Sequence, residues 1–210
     1  MRVIYGGTFD PIHNGHLRLA VELRERLGVQ ELALVPCHIP PHRESPGAGS
    51  DQRLALLKLA ITDEPGLVLD NRELGREGAS YSADTLRQIR QEIGPDEPLC
   101  MVVGTDSFAG FDQWREWQGI PELAHICVVV RPGSDLPDKG APADMLAARR
   151  ADFARELHQS PAGRILVLEP PLLDISATGI RDRIADGRSP RYLMPDTVWR
   201  RIRDFGLYGT

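Results

Sequence analysis

Two histidines three residues apart, His13 and His16, stand behind a Gly6-Gly7 pair in the stretch GGTFDPIHNGHL near the front of the chain. That spacing puts both imidazoles on one side of a helix's first turn, where they can face a single ligand. The glycines follow the apolar run Val3-Ile4-Tyr5 and let the backbone turn sharply and approach a ligand closely. A helix opening after Pro11 would aim its free N–H groups and the positive end of its dipole into the same turn. The guest such a place suits is an anion, phosphate above all. A histidine alone is most simply a surface residue or a satisfied core residue. Two at this spacing behind a glycine turn read instead as a phosphate-facing pair.

Other stretches carry residue types that suit the rest of a nucleotide. In LCMVVGTDSF (99–108) an apolar strand ends at Gly104, and Asp106 follows closely, as the paired hydroxyls of a ribose require. NRELGREGASYSADTL leads into a helix with Ser82 expected as its N-cap and Tyr81 beside it; backbone N–H groups there could take a small carboxylate as they take phosphate elsewhere. The loop CHIPPHRESPGAGS (37–50) follows a strand, at the edge where open parallel sheets bind ligands, which makes His42 and Arg43 candidates for holding phosphate. Trp114 and Trp117, three apart on an expected helical turn, are core residues by default, although one could stack on a flat ring. Arg131 closes the strand HICVVVRPG. ISATGIRDRI offers Ser176 or Thr178 as a helix cap, with Arg181 in the early turns.

These residues need elements to hold them. After the first strand, Leu17, Ala20, Leu23 and Leu27 recur at helical spacing, and Gly28 is placed to end that helix. Strands are expected at 31–36, 67–70, 99–104, 125–131 and 164–169, each short and almost uniformly apolar. Between them lie helices at 51–62, capped by Ser50 with Leu54, Leu57 and Ile61 inward, at 82–93, and at 143–158. A helix from ISATGIRDRI and a terminal one begun near Pro195 and stopped at Gly206 complete the chain. Alternation of this kind predicts an α/β fold: a doubly wound parallel sheet covered on both faces, as one domain over 1–210 with 176–210 as its helical C-terminal segment.

Bulk properties narrow the function. A net charge of −5 over 210 residues provides no global basic field to recruit nucleic acid, so a small-molecule site is favoured. The start runs straight into a core strand without a charged, apolar leader, and no apolar run reaches the length of a membrane span, so a cytoplasmic protein is expected. Cys37, Cys100 and Cys127 are odd in number and widely spaced, the pattern of reduced thiols rather than of a disulfide or zinc framework.

GGTFDPIHNGH resembles the nucleotidylyltransferase signature Gly-Gly-Thr-Phe-Asp-Pro-x-His-x-Gly-His, and ISATGIR resembles the second signature of these enzymes. PPHR, SYSADTL, GTDS, RPG and the ending GLY are similar to the bacterial nicotinate mononucleotide adenylyltransferase branch. The resemblance implies a Rossmann-like fold and transfer of AMP from ATP to nicotinate mononucleotide, giving deamido-NAD and pyrophosphate in NAD biosynthesis. It implies that His13, His16 and Arg181 are catalytic, surrounding the phosphates with Ser176 and Thr178. Gly6, Gly7, Thr8 and Phe9, with Gly104 and Asp106, would hold ATP, and Ile175 and Ser176 would lie by the adenine. Arg43, Tyr81, Ser82, Trp114 and Arg131 would take the nicotinate nucleotide. Arg115 departs from relatives that carry a second aromatic residue there. Mg2+ is expected to arrive with ATP, with no dedicated metal site on the protein, and neither nucleic acid nor membrane is an expected partner. Oligomeric state stays open. The alternatives are a sister transferase acting on nicotinamide mononucleotide or phosphopantetheine, or using a cytidylyl donor, and a non-catalytic adenine-nucleotide sensor.

Overall fold

The computed structural model describes residues 1–39, 46–76, 78–131 and 133–210. In chain order the elements are β1 (Arg2–Gly7), α1 (Asn14–Arg26), β2 (Leu32–Pro36), α2 (Ser50–Ile61), β3 (Leu67–Leu69), α3 (Ser82–Ile93), β4 (Leu99–Gly104) and α4 (Thr105–Ala109). After them come α5 (Ile120–Leu123), β5 (His125–Val129), α6 (Ala141–Arg149), β6 (Arg150–Ala151), β7 (Ile165–Leu168), α7 (Ala177–Ala185) and α8 (Asp196–Asp204). The strands form one seven-stranded sheet in the order β3-β2-β1-β4-β5-β7-β6, and every pairing is parallel. The expected doubly wound parallel sheet is therefore present.

Period-two alternation sends neighbouring side chains of each strand to opposite faces, and both faces are apolar because both are covered. Val3 and Tyr5 of β1 pack with Leu19 and Leu23 of α1, Leu56 and Leu57 of α2, Ile180 of α7 and Val198 of α8. Ile4, one residue between them, joins the opposite core with Leu86 and Ile89 of α3, Phe108, Ile120 and Leu146. The chain winds outward from β1 to β3 on one side and from β4 onward on the other. β1 and β4 are adjacent, so the winding reverses between their carboxyl ends, which is where doubly wound sheets open a ligand crevice.

Local signals set several of the boundaries. Gly28 takes φ +64, and its N–H and that of Val29 donate to the carbonyls of Glu25 and Arg24 at 3.2 and 3.1 Å, closing α1 as a glycine cap. Other expectations need correction. Ser50 and Ser82 are the first helical residues of α2 and α3; the cap positions belong to Gly49 and Tyr81, whose backbones are extended. At Gly49 the N–H is taken instead by the Gln52 side chain at 2.9 Å. The helix expected over 143–158 is broken: α6 stops at Arg149, Arg150 and Ala151 pair with β7, and a 3₁₀ turn follows at Ala154–His158. Trp114 and Trp117 do not share a helical turn, because Trp114 is extended between two short 3₁₀ turns.

Candidate active site

A cleft of 740 Å³ opens at the carboxyl ends of β1 and β4, within the size range of small-ligand sites. Gly6, Gly7, Thr8 and Phe9 form one wall of it. Phe9 adopts φ +49, an uncommon conformation for a bulky residue and one that concentrates at functional turns. Its buried ring folds back over Gly7, where an added Cβ would fall 2.9 Å from two ring carbons. Phe9 also meets His16 edge-on, with centroids 5.1 Å apart. The wall it offers a ligand is thus backbone, with the aromatic ring behind it.

His13 is the N-cap residue of α1 and His16 lies in its first turn. Their rings stack with centroids 3.7 Å apart and planes inclined by 26°. His16 lines the cleft, whereas His13 does not and supports it through the stack. Both Nδ1 atoms are buried without a hydrogen-bond partner among the described residues, a condition native proteins tolerate mainly where a ligand or chemistry accounts for it. Burial lowers the His13 pKa to about 4, helped by the nearby Arg131 charge. Burial likewise holds His16 well below its ordinary value, with His13 and Arg131 adding to the effect. Two neutral rings, each with one N–H to donate, therefore sit where a phosphate is expected. Gly15 is needed between them: a Cβ there would lie 3.0 Å from His13 Nδ1 and 3.2 Å from the Ile175 carbonyl.

Asp10 ties this turn to distant segments. Its carboxylate accepts from the N–H groups of Gly47 and Ala48 at 2.8 and 3.1 Å and from the Tyr208 hydroxyl at 2.6 Å. Its carbonyl accepts from Arg181 Nη1 at 2.7 Å, and the same guanidinium stands 3.8 Å from its carboxylate. Behind the turn, Arg53 of α2 is fully buried and donates to the carbonyls of Thr8, His38 and Ala48 at 2.8, 3.0 and 3.2 Å. Sequence reading passed over Asp10, Arg53 and Tyr208 as functional supports. One signal was present: Arg53 precedes Leu57 and Ile61 at intervals of four, on the face of α2 that turns inward.

From the far side, α7 brings Thr178 and Arg181 to the cleft. Ser176 is the N-cap of α7, its hydroxyl accepting from Gly179 N–H at 3.0 Å. Neither Ile175 nor the exposed Ser176 is among the residues that line the cleft, while Thr178 Oγ1 accepts from Arg181 Nη2 at 3.2 Å. At the end of β4, Gly104 is lining and Asp106 is beside it. A Cβ on Gly104 would fall 2.6 Å from Asp106 Oδ1 and 2.9 Å from Arg131 Nε, so Arg131 lies across the strand end, 3.6 Å from the Asp106 carboxylate. Burial dominates at the Tyr5 phenol and pushes its pKa up to about 12, against the opposing effect of the Arg131 charge.

The third side of the cleft holds Ser82 and Trp114. Ser82 opens α3, and Trp114 packs on Phe111 with centroids 5.0 Å apart. Tyr81 lies outside the lining, its ring covered by the Arg115 guanidinium at 4.8 Å. Glu73, Ser80 and Thr85 were not expected but line this end. The Thr85 hydroxyl donates to Glu73 Oε1 at 2.6 Å, and the Ser80 hydroxyl accepts from His38 N–H at 3.0 Å. Burial raises the Glu73 carboxyl above its ordinary value. Arg43 and His42 lie outside the described residues.

Residues 4–183 match the family described as cytidylyltransferase-like. Over 209 residues the chain is 65% identical to a Marinobacter nauticus protein named "Probable nicotinate-nucleotide adenylyltransferase", covering 100% of this chain and 97% of that one. A Cellvibrio japonicus protein of the same name is 48% identical over 205 residues, covering 98% of this chain and 97% of its own. In fold, the chain superposes on the Plasmodium falciparum nicotinic acid mononucleotide adenylyltransferase complexed with NaAD with a TM-score of 0.74 at 15% identity, over 98% of this chain and 96% of that one.

Proposed function

The chain belongs to the nicotinate-nucleotide adenylyltransferases of the cytidylyltransferase-like family, and from that premise we infer that it transfers AMP from ATP to nicotinate mononucleotide, forming deamido-NAD and pyrophosphate in NAD biosynthesis. The observation that carries the inference is the stacked His13–His16 pair at the point where the sheet's winding reverses, with His16 facing a cleft that also receives Arg181.

The reaction is an in-line displacement. A phosphate oxygen of nicotinate mononucleotide attacks the α-phosphorus of ATP, the new P–O bond forms, and the bond to the bridging oxygen of pyrophosphate breaks. The nucleophile is already an anion, so no proton need be removed, and the protein's work is positioning and neutralising charge. We assign His16 the role of a neutral hydrogen-bond donor to a phosphoryl oxygen, with His13 fixing its ring. Arg181, held by Asp10 and Thr178, supplies permanent positive charge. The Gly6–Phe9 backbone and Gly104 allow the adenylate close approach, with Asp106 placed for the ribose. Mg2+ belongs to this scheme as part of the MgATP substrate.

On the pyridine side, Trp114 offers a ring face and the first turn of α3 offers N–H groups. A nicotinate carboxylate only accepts hydrogen bonds, whereas an amide must also donate. Donors alone at Ser82 would favour the acid. Incubation with MgATP and nicotinate mononucleotide tests the function: the dinucleotide and pyrophosphate should form in equal amounts. Binding of ATP without turnover would favour the sensor instead.

A further inference from the structure

The C-terminal end of the chain reaches the back of the phosphate site through one hydroxyl. Tyr208 lies in a 3₁₀ turn at Leu207–Gly209, with φ +60 at Tyr208 itself. Its hydroxyl donates to Asp10 Oδ1 at 2.6 Å across 198 residues of sequence. The ring lies against Gly47, where an added Cβ would meet Tyr208 Cε1 at 3.3 Å. Asp10 is buried, 6% exposed, and is the common partner of the Gly47 and Ala48 amides and of Arg181. Tyr208 itself is not in the cleft, while Asp10, Gly47 and Arg181 are.

We propose that Tyr208 is a positioning residue for adenylyl transfer: its hydroxyl fixes the Asp10 carboxylate, which in turn aims Arg181 at the ATP phosphates. This rests on the function inferred above. A carboxylate free to rotate would share its two oxygens differently among the Gly47 N–H, the Ala48 N–H and the guanidinium. With the phenol bonded to Oδ1, Oδ2 is left for Gly47 and Arg181. Burial, together with the Asp10 charge, raises the phenol's pKa, so it stays a donor at working pH. An effect passed through Asp10 falls on the phosphate chemistry and spares the pyridine end, which is built from α3 and Trp114.

The test is steady-state turnover of the full chain with MgATP and nicotinate mononucleotide, for wild type, Tyr208→Phe, Arg181→Ala and the double variant. Losing one hydrogen bond to a charged group predicts a kcat about tenfold lower for Tyr208→Phe, with KM for nicotinate mononucleotide and the acid-to-amide rate ratio unchanged. The double variant should be no slower than Arg181→Ala, because the hydroxyl acts through that guanidinium. Wild-type turnover by Tyr208→Phe, or losses that multiply in the double variant, would overturn the proposal. A purely structural role would show itself as multiplied losses with a lowered melting temperature. A wild-type chain that forms no dinucleotide would instead defeat the functional reading itself.

Discussion

His13 and His16 stack ring on ring, 3.7 Å between centroids, and each keeps an Nδ1 that nothing among the described residues satisfies. A buried, unsatisfied nitrogen on each of two neutral imidazoles is costly to fold. On the function proposed above, that cost is borne by a pair held rigid before a phosphoryl group arrives.

The histidines make folding sensitive to acid. Above pH 6.5 they are neutral in both the folded and unfolded chain. Below it the unfolded chain takes up protons that folded His13 refuses until about pH 4. Stability should therefore fall as pH drops through that window, by about 3 kcal/mol from His13 alone. His16 and His125, also lowered chiefly by burial, act in the same direction. Urea unfolding at pH 7 and pH 4.5 checks this, and a His13→Gln chain should show a shallower decline.

Gly15→Ala tests whether the stack must be undisturbed. The new Cβ would press on the His13 ring at 3.0 Å and on the Ile175 carbonyl at 3.2 Å. Something must give by a few tenths of an ångström. We expect kcat to fall about tenfold or more, as small misplacements of catalytic groups do, with a stability loss of about 1–3 kcal/mol from overpacking. Parallel kinetics and melting curves separate the two effects.

Arg53→Lys should fail as a conservative change. The guanidinium serves three carbonyls and the Ser50 hydroxyl from a fully buried position. An ammonium lacks the planar fork that reaches them together. Each abandoned carbonyl costs on the order of 1–3 kcal/mol, so a loss of at least about 3 kcal/mol is expected in denaturant titration. ATP binding should weaken too, since the Thr8 carbonyl anchors the front turn.

Acid preference is the prediction at the pyridine end. Nicotinate mononucleotide should turn over faster than nicotinamide mononucleotide, because first-turn N–H groups of α3 leave an amide's NH₂ facing donors. Equal rates in side-by-side assays would remove α3 from substrate selection.

The sheet and the front turn were legible in the sequence because their signals are local. Apolar strands, Gly6-Gly7 and the His13/His16 spacing all act within a few residues. What escaped was long-range. Asp10 meets Gly47 across 37 residues and Tyr208 across 198, and Arg53 meets Thr8 across 45; no local pattern announces such partners. The break after Arg149 escaped for a related reason, since pairing with β7 at the sheet edge overrode a helical pattern that continued in the residues. The one-residue slip at Ser50 and Ser82 is of another kind. Both are good caps by type, but the extended backbones at Gly49 and Tyr81 place the helix starts.

The most direct measurement is single-turnover formation of deamido-NAD from MgATP and nicotinate mononucleotide by wild type and by His16→Ala. With the melting temperature of the variant close to wild type, the rate should drop about 10²–10³-fold, the cost of losing one donor aimed at transition-state charge. A folded His16→Ala chain as fast as wild type would contradict the role given to the stacked pair.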